Sequence, residues 1–299
     1  GTRLYYLRVW NRVNKKSFFE SLLQNVVMVD ASDLSEKNLE LFLKEIERDS
    51  KTKSILAFSS TFEALAQYIV RTSRKIRTKV NCLLTISETL PEGARNILKE
   101  AFQCPVISRY SNMENGFLAQ QCGDESGEYH VNTTGFHIEL LHPEKDKPVQ
   151  EGEAGRIIVT DLFNYAMPII RYDTGDIAIQ SEKSACGRFG PVFVSVEGRR
   201  VDYIYNTEGK LLSPHVITNT MWDYSSEIKQ FQFIQNGKND YILKLNCSDS
   251  YFTREKELLS DVKKFLGADA KIKFEYINEI PQLASGKRKK IIKNNEYFM

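Results

Sequence analysis

Apolar positions along the chain keep one rhythm for the first third and another after it. Leu4-Tyr5-Tyr6-Leu7-Arg8-Val9 reads as a strand already under way. Leu39, Phe42, Leu43 and Ile46 then recur at i, i+3, i+4, i+7, the spacing of a helix buried along one face. Asp33 and Ser35 ahead of them are helix-start residues. The strand Ser54-Ile55-Leu56-Ala57-Phe58 follows, then a helical stripe of Phe62, Leu65, Ala66 and Ile69, then a strand from Val80 to Ile86. Pro91 opens a third helix that aligns Ala94, Ile97, Leu98 and Ala101, and Val106-Ile107-Ser108 is the next strand. Such alternation predicts a mostly parallel sheet with helices packed on it.

Near residue 123 the rhythm changes. From Glu128 to Val196 the apolar segments are short, alternating and punctuated by Gly and Pro, which predicts antiparallel strands in a small barrel-like subdomain. Beyond Gly198, strands near Ile228–Gln235 and Tyr241–Asn246 precede a helix burying Leu258, Leu259, Val262, Phe265 and Leu266, and a strand at Lys271–Ile277 follows. These segments predict an α/β large domain over residues 1–197, with an α/β part at 1–122 and a β-rich part at 123–197. A small α+β domain is expected over 198–299.

Composition narrows the classes. The 299 residues carry a net charge of +2, too balanced for a nucleic-acid protein that neutralises phosphates with massed Lys and Arg. No apolar run approaches the roughly 20 residues that span a bilayer. The cysteines (Cys82, Cys104, Cys122, Cys186, Cys247) are odd in number and scattered, so reduced thiols in a cytoplasm are expected. Gly1-Thr2 in place of an initiator Met suggests an excised segment of a longer protein.

Ligands of an open parallel sheet sit beyond the carboxyl ends of its strands. Two loops meet that condition, Thr85-Ile86-Ser87-Glu88 and Arg109-Tyr110-Ser111-Asn112-Met113-Glu114-Asn115-Gly116. There Tyr110 can stack on a base, Ser111 can bond a phosphate oxygen, and Glu114 can hold a hard cation such as Mg2+. A polar loop with a half-buried tyrosine accounts for the same residues without a ligand. In Met167-Pro168-Ile169-Ile170-Arg171-Tyr172-Asp173-Thr174-Gly175-Asp176 an apolar strand runs into a turn, where Asp176 can accept both hydroxyls of a ribose. Asp-Thr-Gly-Asp is equally good turn chemistry with nothing bound. Lastly, Pro281-Gln282-Leu283-Ala284-Ser285-Gly286-Lys287 can aim one ammonium at a phosphate, although a solvated basic tail is the simpler account of the charge run that follows.

Taken in order, these stretches resemble the adenylate-forming (acyl-activating) superfamily, in its group of phenylacetate–CoA ligases, coenzyme F390 synthetases and capsular-polysaccharide CapK-like proteins. Tyr110 to Gly116 resembles that family's Tyr-Gly-x-Thr-Glu segment. Asn164 to Asp176 is similar to its Tyr-x-Thr-Gly-Asp segment with its lead-in. Gly198-Arg199-Arg200-Val201-Asp202 and Gly209 to Pro214 resemble its hinge, and Pro281 to Lys287 the stretch with its catalytic lysine.

The resemblance implies a partial adenylation domain followed by a small C-terminal lid domain that rotates between two half-reactions. A carboxylic acid attacks the α-phosphate of ATP to give acyl-AMP and pyrophosphate; a thiol, usually coenzyme A, then takes the acyl group. By the match Glu114 binds Mg2+, Asp176 the ribose, Tyr110 and Ser111 the AMP, and Arg199 the nucleotide near the hinge. Lys287 serves the α-phosphate and the attacking carboxylate. A unit charge about 4 Å from the reacting centre is worth on the order of 4 kcal/mol at an effective dielectric of about 20, roughly a thousandfold in rate. Phe58, Phe62, Tyr110 and Phe117 hint at an apolar or aromatic acyl pocket.

The chain departs from the family pattern in several places. Its sixteen glycines include no Gly/Ser/Thr phosphate loop ahead of these segments, so the chain is expected to be N-terminally truncated and to catalyse poorly by itself. Ser111 stands for the usual Gly, Met113 for Thr, and Val201 where an acid is common. Some relatives hold a structural zinc with Cys and His of the β-rich region. Here Cys122, His130 and Cys186 offer three ligands while Ser184 takes the place of a fourth, so ordinary buried thiols are expected. Two other functions remain open beside the acyl-CoA synthetase: an acyl-protein synthetase using a protein or carrier thiol, and a non-catalytic binding or scaffold remnant.

Overall fold

The computed structural model describes residues 1–10, 15–123, 126–182, 184–199, 203–212, 214–247, 252–281, 283 and 288–294. Contacts divide the chain into two units, Gly1–Leu90 with Ala94–Arg200, and Pro91–Gly93 with Val201–Met299.

The first unit is built on an eleven-stranded sheet. Its parallel half contains β1 (Arg3–Arg8), β2 (Val26–Asp30), β3 (Lys53–Phe58), β4 (Leu83–Ile86) and β5 (Val106–Asn112), in the order β2-β1-β3-β4-β5. They are joined through α1 (Phe18–Leu23), α2 (Glu36–Arg48), α3 (Ser59–Thr72) and α4 (Glu92–Phe102). α2 buries Leu39, Phe42, Leu43 and Ile46, the stripe that its periodicity predicts. α4 buries Ala94, Leu98 and Phe102 but leaves Ile97 and Ala101 only half-covered. Strict i, i+4 steps keep that narrower face on the sheet. Lys53 is 1% exposed. Its ammonium donates to Ile46 O at 2.9 Å, to Asp49 O, and to Thr78 Oγ1 at 2.9 Å. It thereby supplies donors to carbonyls that the end of α2 leaves without helical partners.

The same sheet continues as six antiparallel strands: β6 (Gly116–Gln121), β7 (Tyr129–Val131), β8 (Phe136–Leu141), β9 (Ala154–Asp161), β10 (Tyr172–Ser181) and β11 (Val192–Arg199), in the order β6-β7-β11-β10-β9-β8. Leu118, Ala119, Phe136, Leu140, Ile157, Val159 and Phe193 share one core although they come from strands far apart in that order. This half of the sheet therefore curls around its own interior, as the alternating short segments lead one to expect.

The second unit holds a two-stranded ladder of β12 (Ile204–Tyr205) and β13 (Leu211–Leu212), and the helices α5 (Pro214–Trp222) and α6 (Glu255–Leu266). Its main sheet combines β14 (Ile228–Gln235), β15 (Asp240–Cys247), β16 (Lys271–Tyr276) and β17 (Ile291–Lys293) in the order β16-β15-β14-β17. Leu258, Val262 and Leu266 of α6 pack into one core with Phe233, Tyr241, Leu243 and Leu245. Leu259 and Phe265, which the apolar pattern adds to that face, are half-buried. The chain is thus α/β with a small α+β C-terminal sheet, and no described helix is long and apolar enough to cross a membrane.

Several elements depart from the sequence reading. β4 begins at Leu83 rather than Val80, and β5 runs on to Asn112 rather than stopping at Ser108. Ser108 and Tyr110 alternate inward along β5. Ser108 Oγ receives Arg95 Nη2 at 2.8 Å, so a polar residue fills an inward position without loss. The apolar residues from Met167 to Ile170 are an exposed loop rather than a strand. Asp161 Oδ1 ties that loop down by accepting from Phe163 N at 2.9 Å and Asn164 N at 3.1 Å.

Candidate functional site

β5 and β6 form a hairpin whose loop is Met113-Glu114-Asn115, with Asn112 paired to Gly116. Asn115 N donates to Asn112 Oδ1 at 2.7 Å, and Gly116 takes φ +75°. Asn at the loop entry and Gly at the left-handed exit are the residues that such a three-residue turn requires. The turn holds Glu114 exposed at the tip, beside a fully exposed Met113. Ser111 also faces solvent.

Opposite lies an irregularity in β10. Along β9, Ile158 pairs with Asp173 and Arg156 with Ile177, so Thr174, Gly175 and Asp176 together face the single residue Ile157. The segment read from sequence as a turn is therefore a bulge inside a strand, with Gly175 at φ +76°. Thr174 pins it: its Oγ1 donates to Ile157 O at 3.1 Å and accepts from Asp176 N at 3.2 Å. Asp173 Oδ2 receives Arg156 Nη1 at 2.7 Å, and Asp173 Oδ1 receives Gly175 N at 2.9 Å.

The two segments meet through Tyr110. Its hydroxyl donates to Asp176 Oδ2 at 2.8 Å and lies 3.3 Å from Thr174 Oγ1. The ring is 9% exposed and packs edge-on against Phe193, centroids 6.4 Å apart. Burial first, and the Asp176 charge second, push the phenol far above its ordinary value, so Tyr110 keeps its proton and remains a donor to Asp176. Arg199, on β11, is the strand partner of Asp176.

Beyond the end of β4, Ser87 takes φ +73°, an unusual value for a residue with a side chain. Ser59 Oγ lies 2.5 Å from both Thr85 Oγ1 and Glu88 O, and Glu88 Oε2 is buried with no hydrogen-bond partner among the described residues. Since Ile86 pairs with Arg109, this loop adjoins the Tyr110 end of β5.

Tyr110, Asp176 and the backbone of Arg199 are thus brought together, with Ser111 and Glu114 on the same hairpin. Lys287, Arg200, Val201 and Asp202 lie outside the described residues. The sequence reading gives Thr174 no role, although a hydroxyl between two carboxylates and beside a glycine is a signal for it. A second set of donors, Cys122, His130 and Cys186, offers ligand atoms all within 4.8 Å of one another.

Residues 204–295 match the family described as the CapK C-terminal domain. Protein CapK of Staphylococcus aureus is 22% identical over 275 residues, which cover 90% of this chain and 59% of CapK. The phenylacetate-coenzyme A ligase of Thermus thermophilus is 27% identical over 150 residues, or 48% of this chain and 33% of that protein. The chain therefore spans less than two thirds of the length of these curated relatives. Among solved structures, 2-hydroxyisobutyryl-CoA ligase in the postadenylation state in complex with R3-HIB-AMP shares the fold at TM-score 0.74 and 16% identity, covering 98% of this chain and 66% of that one. The family match over its C-terminal third and the two relatives make the chain similar to the CapK-like group of the adenylate-forming superfamily, and the solved structure shares its fold.

Proposed function

We propose that this chain carries the nucleotide-binding face of an ATP-dependent enzyme that activates a carboxylic acid as acyl-AMP and passes the acyl group to a thiol, coenzyme A. The observation that carries the reading is the hydrogen bond from Tyr110 to Asp176, which joins segments 66 residues apart. It fixes a carboxylate beside the carboxyl ends of the parallel strands, where such sheets take ligands. In this reading Asp176 accepts the two ribose hydroxyls, Tyr110 orients it, and Arg199 stands on the neighbouring strand to meet the nucleotide. Ser111 offers a hydroxyl to a phosphate oxygen, the bond that Met113 in place of the family's Thr cannot make. Glu114, exposed and acceptor-only, suits Mg2+. Lys287 supplies the positive charge that a carboxylate needs to approach a triphosphate.

AMP titrated into the chain by calorimetry tests this. Asp176→Asn keeps the shape but turns one acceptor oxygen into an NH2 donor, losing one charge-assisted bond worth about 1.5–3 kcal/mol, so binding is expected to weaken about a hundredfold. Equal affinity in the folded variant would remove Asp176 from the site.

A further inference from the structure

α1 buries no residue. Phe18 (76% exposed), Phe19 (73%), Leu22 (66%) and Leu23 (86%) all stand in solvent. At 3.6 residues per turn the four fall within one arc of about 140°, with Glu20 and Ser21 on the other side. The two phenyl rings meet each other edge-on, centroids 5.8 Å apart. Ser17 and Glu20 form a capping box, with Ser17 N donating to Glu20 Oε2 at 2.7 Å, so the helix starts firmly although its apolar face is bare. Lys15, exposed, and Lys16, half-buried, precede it.

A chain of contacts ties the end of α1 to a second feature. Asn25 N donates to Leu22 O at 3.2 Å and Leu4 N to Asn25 O at 3.0 Å, which sets the helix end beside the first residues of β1. Arg3 Nε donates to Asn25 Oδ1 at 3.4 Å, and Arg3 Nη1 to Asp49 Oδ2 at 3.1 Å. Lys53 then links Asp49 O to Thr78 Oγ1. Around Thr78 the chain alternates: Ile76 and Thr78 are half-buried, while Lys75, Arg77 and Lys79 are exposed. Arg77 N donates to Glu47 Oε1 at 2.8 Å and pins the segment. Alternate residues of extended backbone stand about 6.5 Å apart, so three cations form a row. The carboxylates Glu40 and Glu47 are taken by Arg74, which leaves the charge of the row to solvent. An apolar helix and a basic row thus share the amino ends of the parallel strands.

We propose that this end of the sheet docks on an anionic lipid bilayer, with α1 sinking its Phe and Leu side chains among the headgroups and Lys75, Arg77 and Lys79 meeting lipid phosphates. A headgroup boundary takes up apolar side chains while its phosphates draw cations, which is the pairing displayed here. The contact is peripheral, since six helical residues reach only about 9 Å. A second copy of the chain fits worse: a two-fold contact through this end would bring two like-charged rows together. The Tyr110–Asp176 pair lies beyond the opposite, carboxyl ends of the strands, so docking leaves that face open to ligands from water.

The test mixes the purified chain at low salt with phosphatidylcholine vesicles, with and without phosphatidylglycerol, and separates bound protein by flotation. Binding to the phosphatidylglycerol vesicles that falls as salt is added is expected, with little on phosphatidylcholine alone. Phe18→Ser with Leu23→Ser should weaken binding about tenfold per side chain, and circular dichroism should hold because α1 buries nothing. Lys75→Gln, Arg77→Gln and Lys79→Gln together should weaken it about fivefold per cation. Leu23→Trp guards against a loss that merely reflects misfolding: it should keep binding, and its emission should shift to the blue on phosphatidylglycerol vesicles by more than the wild-type chain's. No binding to those vesicles at low salt, binding that both sets of substitutions leave unchanged, or a sedimenting dimer that Phe18→Ser with Leu23→Ser abolishes, would overturn the proposal.

Discussion

The two halves of the large sheet use buried polar groups in opposite ways. In the parallel half they serve the chain itself: the Lys53 ammonium closes the end of α2, and Ser59 bridges Thr85 and a carbonyl. From β5 onward they pair side chains 66 and 56 residues apart in sequence, as in Tyr110 with Asp176 and Ser184 with Glu128. Helices cover the parallel strands, so a polar group there must be satisfied by nearby backbone or incur a large penalty. Antiparallel strands joined by hairpins and bulges bring distant segments edge to edge, where paired side chains can be presented to a ligand. Under the proposed function, the first half spends its polar chemistry on stability and the second on binding.

The largest effect that would break this contrast lies at Lys53. Lys53→Met strands two carbonyls at the end of α2 and should lower stability by about 2 kcal/mol, read as a lower thermal midpoint. AMP affinity of the folded protein should be unchanged; a parallel loss of affinity would deny the division of labour. Tyr110→Phe should do the converse. AMP binding should weaken about fivefold, near 1 kcal/mol, with the thermal midpoint almost unmoved, because the ring still packs on Phe193.

The smallest effect sharpens the parallel half. Hydrogen bonding from Arg74 holds Glu47 below the usual carboxylate range, and the Tyr68 hydroxyl, then Arg74, does the same for Glu40. Lowered folded values mean stabilisation that is complete above the unfolded value of about 4.3 and lost as pH falls through the folded ones. Urea midpoints followed from about pH 6 to about pH 3 should fall less steeply in Arg74→Met. An identical acid slope would show that these carboxylates contribute nothing to it.

Much of the fold was legible because its long elements repeat cleanly. The stripe in α2 and the strands Ile228–Gln235 and Lys271–Tyr276 stand where the apolar pattern puts them. Short elements were not. α1 has six residues and buries none, and β2 is an edge strand of five with no fully buried position. Neither carries enough periodic signal to rise above a loop. β12, β13 and β17 have two or three residues each, fixed only by their partners. At the site, residue types were readable and pairings were not. Nothing in the local spacing says that Tyr110 reaches Asp176, or that Asp-Thr-Gly-Asp bulges inside a strand instead of ending one. The motif match named the residues, and tertiary packing supplied the bond.

β5 belongs to both halves, parallel to β4 on one side and antiparallel to β6 on the other. It is a seam rather than a boundary: cutting there would leave two raw strand edges, each an invitation to aggregate. Evolution can lengthen the hairpin tips on either side freely, but it inherits the helical scaffold and the curled half as one indivisible piece.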